Sequence, residues 1–477
     1  MATEEEIVNE PIPVPDITRE EWEATHPKIR GFIQAILKRL EAIEEKLNTN
    51  SSNSSKPPSS DPPGSLPNRN IRTGKPRGGQ KGHRGYHRAL LPTEDASTVV
   101  EHYPQQCSGC GRGLSILDGM KSDIRHQVWE LPPMQAEVTE HQLHRACCPA
   151  CAHVSQAVLP SEVPQGAFGP RLTAMVGLLV GCYRLSRRQC ESLLKSGFGV
   201  SVSLGGIKIL ENLVSGSIAA AHQEAQDSVQ SAEAANIDDT GWKEAGRNAV
   251  LWNVNTPNVA FYKITESKDH LTAKSILGGF DGILGADRAK TYSFHPVEKS
   301  QTCHAHLDRH FQRMEDRGGD SKSTGTWGKA ETDRFFGIWH NFKDGVIERT
   351  ELQAQMVSVR ARMGRLLQRG TECGHSKTEN TCSNILKVFP SLWTCIYHEG
   401  VEPTNNSSEQ ALRHPVQWRK TSYGTQSELG SRFVERIVTV VETCRRQGRN
   451  VLEYLTDSVT AFFQESRGPK LVLTPTG

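Results

Sequence analysis

The sequence predicts a multidomain α/β protein, and three observations carry that prediction. Two apolar runs end in carboxylates, Ala234-Ala235-Asn236-Ile237-Asp238 and Gly282-Ile283-Leu284-Gly285-Ala286-Asp287, as strands that deliver acids to the end of a sheet do. Two Cys-x-x-Cys pairs, Cys107/Cys110 and Cys148/Cys151, mark a small metal-organised module. Near the N-terminus, Ile29, Ile33, Ile36, Leu40, Ile43 and Leu47 alternate steps of four and three, the seam of a coiled coil.

Residues 1–50 read as an acidic segment followed by that coiled-coil helix, hence self-association. Residues 51–95 hold a Ser/Pro linker centred on Ser51-Ser52-Asn53-Ser54-Ser55-Lys56-Pro57-Pro58, too polar to bury a core and expected to be flexible. A basic arm follows. Between Asp61 and Glu94 there is no acid, while Lys75, Arg77, Lys81 and Arg84 are interleaved with glycines that let the backbone approach a polyanion. The whole chain of 477 residues carries a net charge of only +2, so its basic character is local.

Residues 96–160 contain the four cysteines, read as a zinc-ribbon-like module with Cys107, Cys110, Cys148 and Cys151 as zinc ligands. The alternating runs Gln127-Val128-Trp129-Glu130-Leu131 and Ala136 to Gln142 suggest a hairpin between the two pairs. Residues 165–230 read as helical, with a glycine-bearing turn at Gly197-Phe198-Gly199 and a Ser203 cap, as in a helix-turn-helix.

Residues 231–311 and 400–465 carry the core. After Asp238 come a hairpin or strand at 243–256, a strand at 259–265, a helix at 270–277 and the strand that ends in Asp287. Three strands, a helix and a fourth strand, with a late helix to follow, is the order of a ribonuclease-H-like core. That late helix begins after Asn405-Asn406-Ser407-Ser408, residues suited to capping, and places Glu409 in its first turn. Residues 312–399 read as a helical insertion and 466–477 as a tail. Glu402 is a rival third acid, but Pro403 makes it a loop residue. Cys303, His304 and His306 resemble half a zinc site; packing or orientation of the active site is the simpler reading. Trp242 and Trp252 read as core or as a wall beside the site.

Two strand-end aspartates and a helical glutamate suit a pair of hard divalent cations, Mg²⁺ or Mn²⁺, astride a phosphodiester. Arg413 lies four residues after Glu409, and Arg419 and Lys420 follow; all three are candidates for DNA phosphate contacts. The N-terminus lacks the regions of a secretory signal, and no stretch approaches the roughly 20 apolar residues of a membrane span, so a cytoplasmic protein is expected. Twelve cysteines in that compartment are expected to be reduced.

These motifs resemble, as an ordered set over nearly the whole chain, the large transposase proteins of the insertion sequence 66 group of bacterial mobile elements. The resemblance runs through the Asn53-Ser54-Ser55-Lys56-Pro57-Pro58 linker, Gly78-Gly79-Gln80-Lys81-Gly82-His83, both Cys pairs, Asp238-Asp239-Thr240-Gly241-Trp242 and Cys303-His304-Ala305-His306. It ends with Asn405-Asn406-Ser407-Ser408-Glu409 and Glu442-Thr443-Cys444. It implies a DDE transposase with Asp238, Asp287 and Glu409 as catalytic, metal-binding carboxylates, acting on element ends and target DNA, with small accessory proteins as partners. Two departures stand out: Asp239 where the family usually has Glu, and Gln410 where it usually has Arg. The alternatives are a non-catalytic zinc-containing DNA-binding protein and a nuclease that cuts without joining.

Overall fold

The computed structural model describes residues 17–54, 61, 88–115, 124–160 and 163–473. Helix α1 (Pro27–Leu47) starts on a proline whose missing N–H costs nothing in a first turn. Its apolar row stays open in the single chain: Ile29, Ile36, Leu40 and Ile43 are exposed, and Leu47 is 79% exposed. The turn that follows holds the first residues of the expected linker, most of which lies outside the described residues. Asn53 and Ser54 are buried, and Asp61 accepts from the Ser51 N–H at 3.0 Å and hydroxyl at 2.5 Å. Short polar side chains here satisfy one another and the nearby backbone, so burial needs no apolar core.

In the cysteine module, residues 127–142 do not form the expected hairpin. Val128, Leu131 and Val138 are exposed by 78% or more, so the alternating pattern has no surface to pack upon. The hairpin forms instead across the second Cys pair, Arg145–Cys147 against Val154–Gln156.

Helices α2 (Pro170–Gly177), α3 (Arg187–Phe198), α4 (Leu204–Ser217) and α5 (Ala219–Gln230) lead to the sheet. Ser186 and Gln189 close a capping box at the start of α3, Gly199 ends it at φ 70°, and the Ser203 side chain caps α4. Arg187 forks onto the buried Glu211 with two bonds of 2.8 Å, clamping α3 to α4. Ile207, Leu210 and Val214 join the main core, so this helix pair is built onto the sheet domain.

Strands β1 (Ala234–Glu244), β2 (Arg247–Asn255) and β3 (Ala260–Thr265), helix α6 (His270–Leu277), and strands β4 (Ile283–Ala286) and β5 (Ser300–Thr302) follow. The sheet order is β3-β2-β1-β4-β5; β1/β2 and β2/β3 are antiparallel, β1/β4 and β4/β5 parallel. This is the ribonuclease-H-like arrangement. Ala245 and Gly246, both at positive φ, make the two-residue β1–β2 turn.

Helices α7 (His304–Arg317), α8 (Gly319–Lys343), α9 (Arg349–Gly370) and α10 (Ser376–Lys387) have a core of their own around Phe311, Phe335, Met356 and Trp393. The chain then returns through α11 (Asn406–Ser422), α12 (Glu428–Arg446) and α13 (Val451–Phe463). Helix α12 seals the β3 edge. Glu435, Thr439 and Thr443, one helical turn apart, accept from the N–H groups of Ile264, Tyr262 and Ala260 at 2.7, 3.1 and 3.1 Å. Four residues of helix rise about 6 Å and two of strand about 6.7 Å, so the two ladders mesh.

Candidate active site

Parallel pairing sets the two aspartates side by side. Ala234 pairs with Ile283 and Asn236 with Gly285; carried on by two residues, the same register brings Asp238 level with Asp287. Gly285 permits the close fit, since a Cβ there would stand 2.0 Å from Asn236 Oδ1. Asp287 opens the loop after β4 and accepts the Ala289 N–H at 2.9 Å.

Asp238 and Asp239 are told apart by their surroundings. Asp239 is neutralised by Lys268 Nζ at 2.8 Å and accepts from the Tyr292 hydroxyl at 3.2 Å. Asp238 is bonded by the Asp239 N–H at 2.8 Å and has no cation beside it among the described ion pairs. Burial, and then the negative charges of Asp287, Asp239 and Glu409, push its carboxyl up to about 7.

Glu409 lies in the first turn of α11. The helix entrance is fixed by polar contacts to the sheet. Asn405 donates from Nδ2 to the Ile237 carbonyl at 2.9 Å and from its backbone N–H to Cys303 Sγ at 3.2 Å. Buried Asn255 at the end of β2 bonds Ser407 at 2.7 Å and Ser408 at 2.6 Å. Asn405 occupies the cap position without a side-chain cap bond: its Nδ2 is held by β1, and its buried Oδ1 has no hydrogen-bond partner among the described residues. The Glu409 carboxylate faces His306 at 3.8 Å and Arg309 at 3.7 Å.

Cys303 and His304 are structural. The Cys303 N–H extends the β4–β5 pairing by bonding the Ala286 carbonyl at 3.0 Å. His304 Nε2 meets the Leu392 carbonyl at 2.7 Å and the ring stacks on Phe335 at 3.9 Å; burial drives its pKa down to about 4. Glu402 pairs with Lys343 in a loop. Trp242 and Trp252 are buried, their indoles bonded to Thr425 and Thr265.

Arg413 and Lys420 are exposed. Arg419 is bonded to the Gly241 carbonyl and, at 3.3 Å, to Thr240 Oγ1, which ties the far end of α11 to β1. Lys75, Arg77, Lys81 and Arg84 lie outside the described residues. Four contributors had no distinct sequence signal: Asn255, Lys268, Arg288 and Tyr292. Arg309 had a faint one, three residues beyond His306 on a helix that touches the site.

The two cysteine pairs form matching knuckles. The Cys107 N–H bonds the Arg112 carbonyl and the Gly111 N–H returns to Cys107; Cys148 with His153 and Ala152 with Cys148 repeat this, at 2.8–2.9 Å throughout. Gly111 and Ala152, at equivalent places, both have positive φ. Within each pair, backbone N–H groups and the second thiol hold the first thiol, Cys107 or Cys148, below its usual range.

Among the described residues no group of three or more His, Cys, Asp or Glu is gathered as a metal-holding cluster. The two knuckles therefore stand as separate half-sites, and the three carboxylates influence one another through space. Both donor sets still fit their metals in kind: depressed thiols for zinc, and mutually repelling oxygen donors for a hard divalent cation.

Residues 165–432 match the family described as "Transposase IS66 family", and residues 104–152 match the "zinc-finger binding domain of transposase IS66". Residues 10–89 match a family of unknown function. Among curated proteins the chain is similar to the uncharacterized protein y4qI of Sinorhizobium fredii, 25% identical over 227 residues, which is 44% of this chain and 41% of that protein. The chain thus spans about two fifths of that relative's length.

Proposed function

The chain belongs to the IS66 transposase family, and on that premise we propose that it binds the ends of its element, cleaves DNA and joins the cut end to a target by a DDE mechanism. The observation that carries the proposal is the register that sets Asp238 beside Asp287, with α11 docked so that Glu409 adds its field to theirs. These three side chains are the ones proposed to hold Mg²⁺ or Mn²⁺. When bound, such ions supply Lewis acidity to both the attacking and the leaving oxygen of an in-line displacement.

The protein's own residues do the rest. In the cleavage step a water oxygen forms the new bond to phosphorus, the bond to the 3′-oxygen breaks, and a 3′-hydroxyl is left. In the joining step that hydroxyl attacks a target phosphorus and displaces another 3′-oxygen. The nucleophile's proton passes to solvent water, and solvent returns one to the departing 3′-oxygen. Lys268 keeps Asp239 out of the proposed metal-holding role by pairing with it. Arg419 fixes the length of α11 against β1, while Arg413 and Lys420 on its outer surface are proposed phosphate contacts, together with Lys75, Arg77, Lys81 and Arg84 of the arm. Cys107, Cys110, Cys148 and Cys151 are the proposed structural zinc ligands, and the open seam of α1 is the proposed self-association surface.

The test is a nicking and joining assay with Mg²⁺ or Mn²⁺ on DNA carrying the element's ends, comparing the native chain with Asp287→Asn and Glu409→Gln. Joined products that vanish in both variants are expected. Nicks without joined products would replace the transposase with a nuclease. Binding without either product, and no metal uptake at the triad, would leave a DNA-binding protein.

A further inference from the structure

Helix α7 carries Arg309, Arg313 and Arg317 at four-residue spacing, a single row stepping about 6 Å at a time away from the active site. Each guanidinium is engaged by an oxygen from elsewhere in the chain. Arg309 meets Glu409 at 3.7 Å. Arg313 donates to the Asn53 carbonyl at 3.0 Å. Arg317 donates to Glu45 Oε1 from two nitrogens, at 3.1 and 3.0 Å, and Lys377 closes on the same carboxylate. Asn53 Nδ2 adds a bond of 2.8 Å to Asp316. Arg288, on the loop after Asp287, brings a further positive charge whose buried Nε has no hydrogen-bond partner, and it joins Arg313 and Arg317 in holding the intervening His310 down to about 3, after burial itself.

The N-terminal segment therefore lies on a cationic row that begins at the third catalytic acid, and it offers that row carboxylate and carbonyl oxygens. We propose that this row is a phosphate track for the DNA strand entering the active site, and that residues 45–53 occupy its outer end in place of phosphate until DNA displaces them. The inference rests on the transposase reading for its ligand and assigns that ligand a path. One carboxylate oxygen held by two arginine nitrogens and the other by a lysine put negative oxygens where a phosphate's would bind. Glu45 and a DNA phosphate cannot both sit there.

The test measures binding of the full chain to a short duplex of arbitrary sequence over a range of salt concentrations, without divalent metal. Glu45→Ala is expected to tighten binding about five-fold, whereas Glu44→Ala, the same charge change one residue away on an exposed position, moves it less than about two-fold. Arg313→Ala, which loses only a carbonyl partner inside the protein, is expected to lower the slope of log K against log salt by about one, and Arg313→Lys to restore it. DNA is also expected to speed hydrogen exchange at residues 48–54. Equal behaviour of the Glu45 and Glu44 variants, or an unchanged slope for Arg313→Ala, overturns the track. These readings need no catalysis, so loss of joining activity in the assay above would fail separately.

Discussion

Asp238 holds its proton up to about pH 7 in the folded chain, against 3.8 for an ordinary aspartate. Between those values the folded state binds one more proton than the unfolded state. Stability therefore falls as pH rises from about 4 to about 7, and the deficit is complete above 7. Asp238→Asn removes it: denaturant unfolding of the metal-free variant should show a gain of about 4 kcal/mol at pH 8 that disappears at pH 3.5. The acids themselves were legible as the polar ends of apolar runs. The choice of Asp238 over Asp239 came from the resemblance alone; the Lys268 pairing that occupies Asp239 depends on how the chain folds after β3 and had no sequence signal.

Elements were legible where a period or a cap announces them. The capping box at Ser186, the Gly199 stop and the Ser203 cap delimit α3 and α4 from local chemistry alone. Alternation misled at 127–142, where Val128, Leu131 and Val138 stay exposed. The docking of α11 depends on Asn255, fully buried and bonded to both Ser407 and Ser408. Asn255→Ala strands those hydroxyls and should cost about 2–3 kcal/mol in chemical denaturation, with cleavage falling more steeply than DNA affinity. A second element-level prediction concerns the α7–α8 hairpin. At Gly325 a Cβ would meet Glu315 N at 2.3 Å and the Phe311 carbonyl at 2.6 Å, both backbone atoms that cannot rotate aside. Gly325→Ala should destabilise the helical insertion by about 3 kcal/mol, seen as an earlier calorimetric transition.

Across the whole molecule, the two-knuckle cysteine region and the mixed-sheet core were legible from spacing and patterning, but the ties between elements were not. The Arg309–Arg313–Arg317 row looks in sequence like any solvated helix face, and only the fold brings residues 45–53 onto it. Among its described residues the cysteine module has almost no buried surface of its own. Its order should therefore depend on the proposed zinc. A chelator should abolish hydrogen-exchange protection between 104 and 156 and leave the main melting transition unmoved; a common shift of both would show that the module and core unfold as one.

The insertion between β5 and α11 also has a temporal consequence. A ribosome adds Asp238 and Asp287 to the growing chain long before it reaches Glu409, and α11 cannot seat against Ile237 and Asn255 until the helical subdomain has been made. A prematurely terminated product thus carries two acids of the proposed triad without the third. Only synthesis past α11 brings the three acids of the proposed triad into one chain.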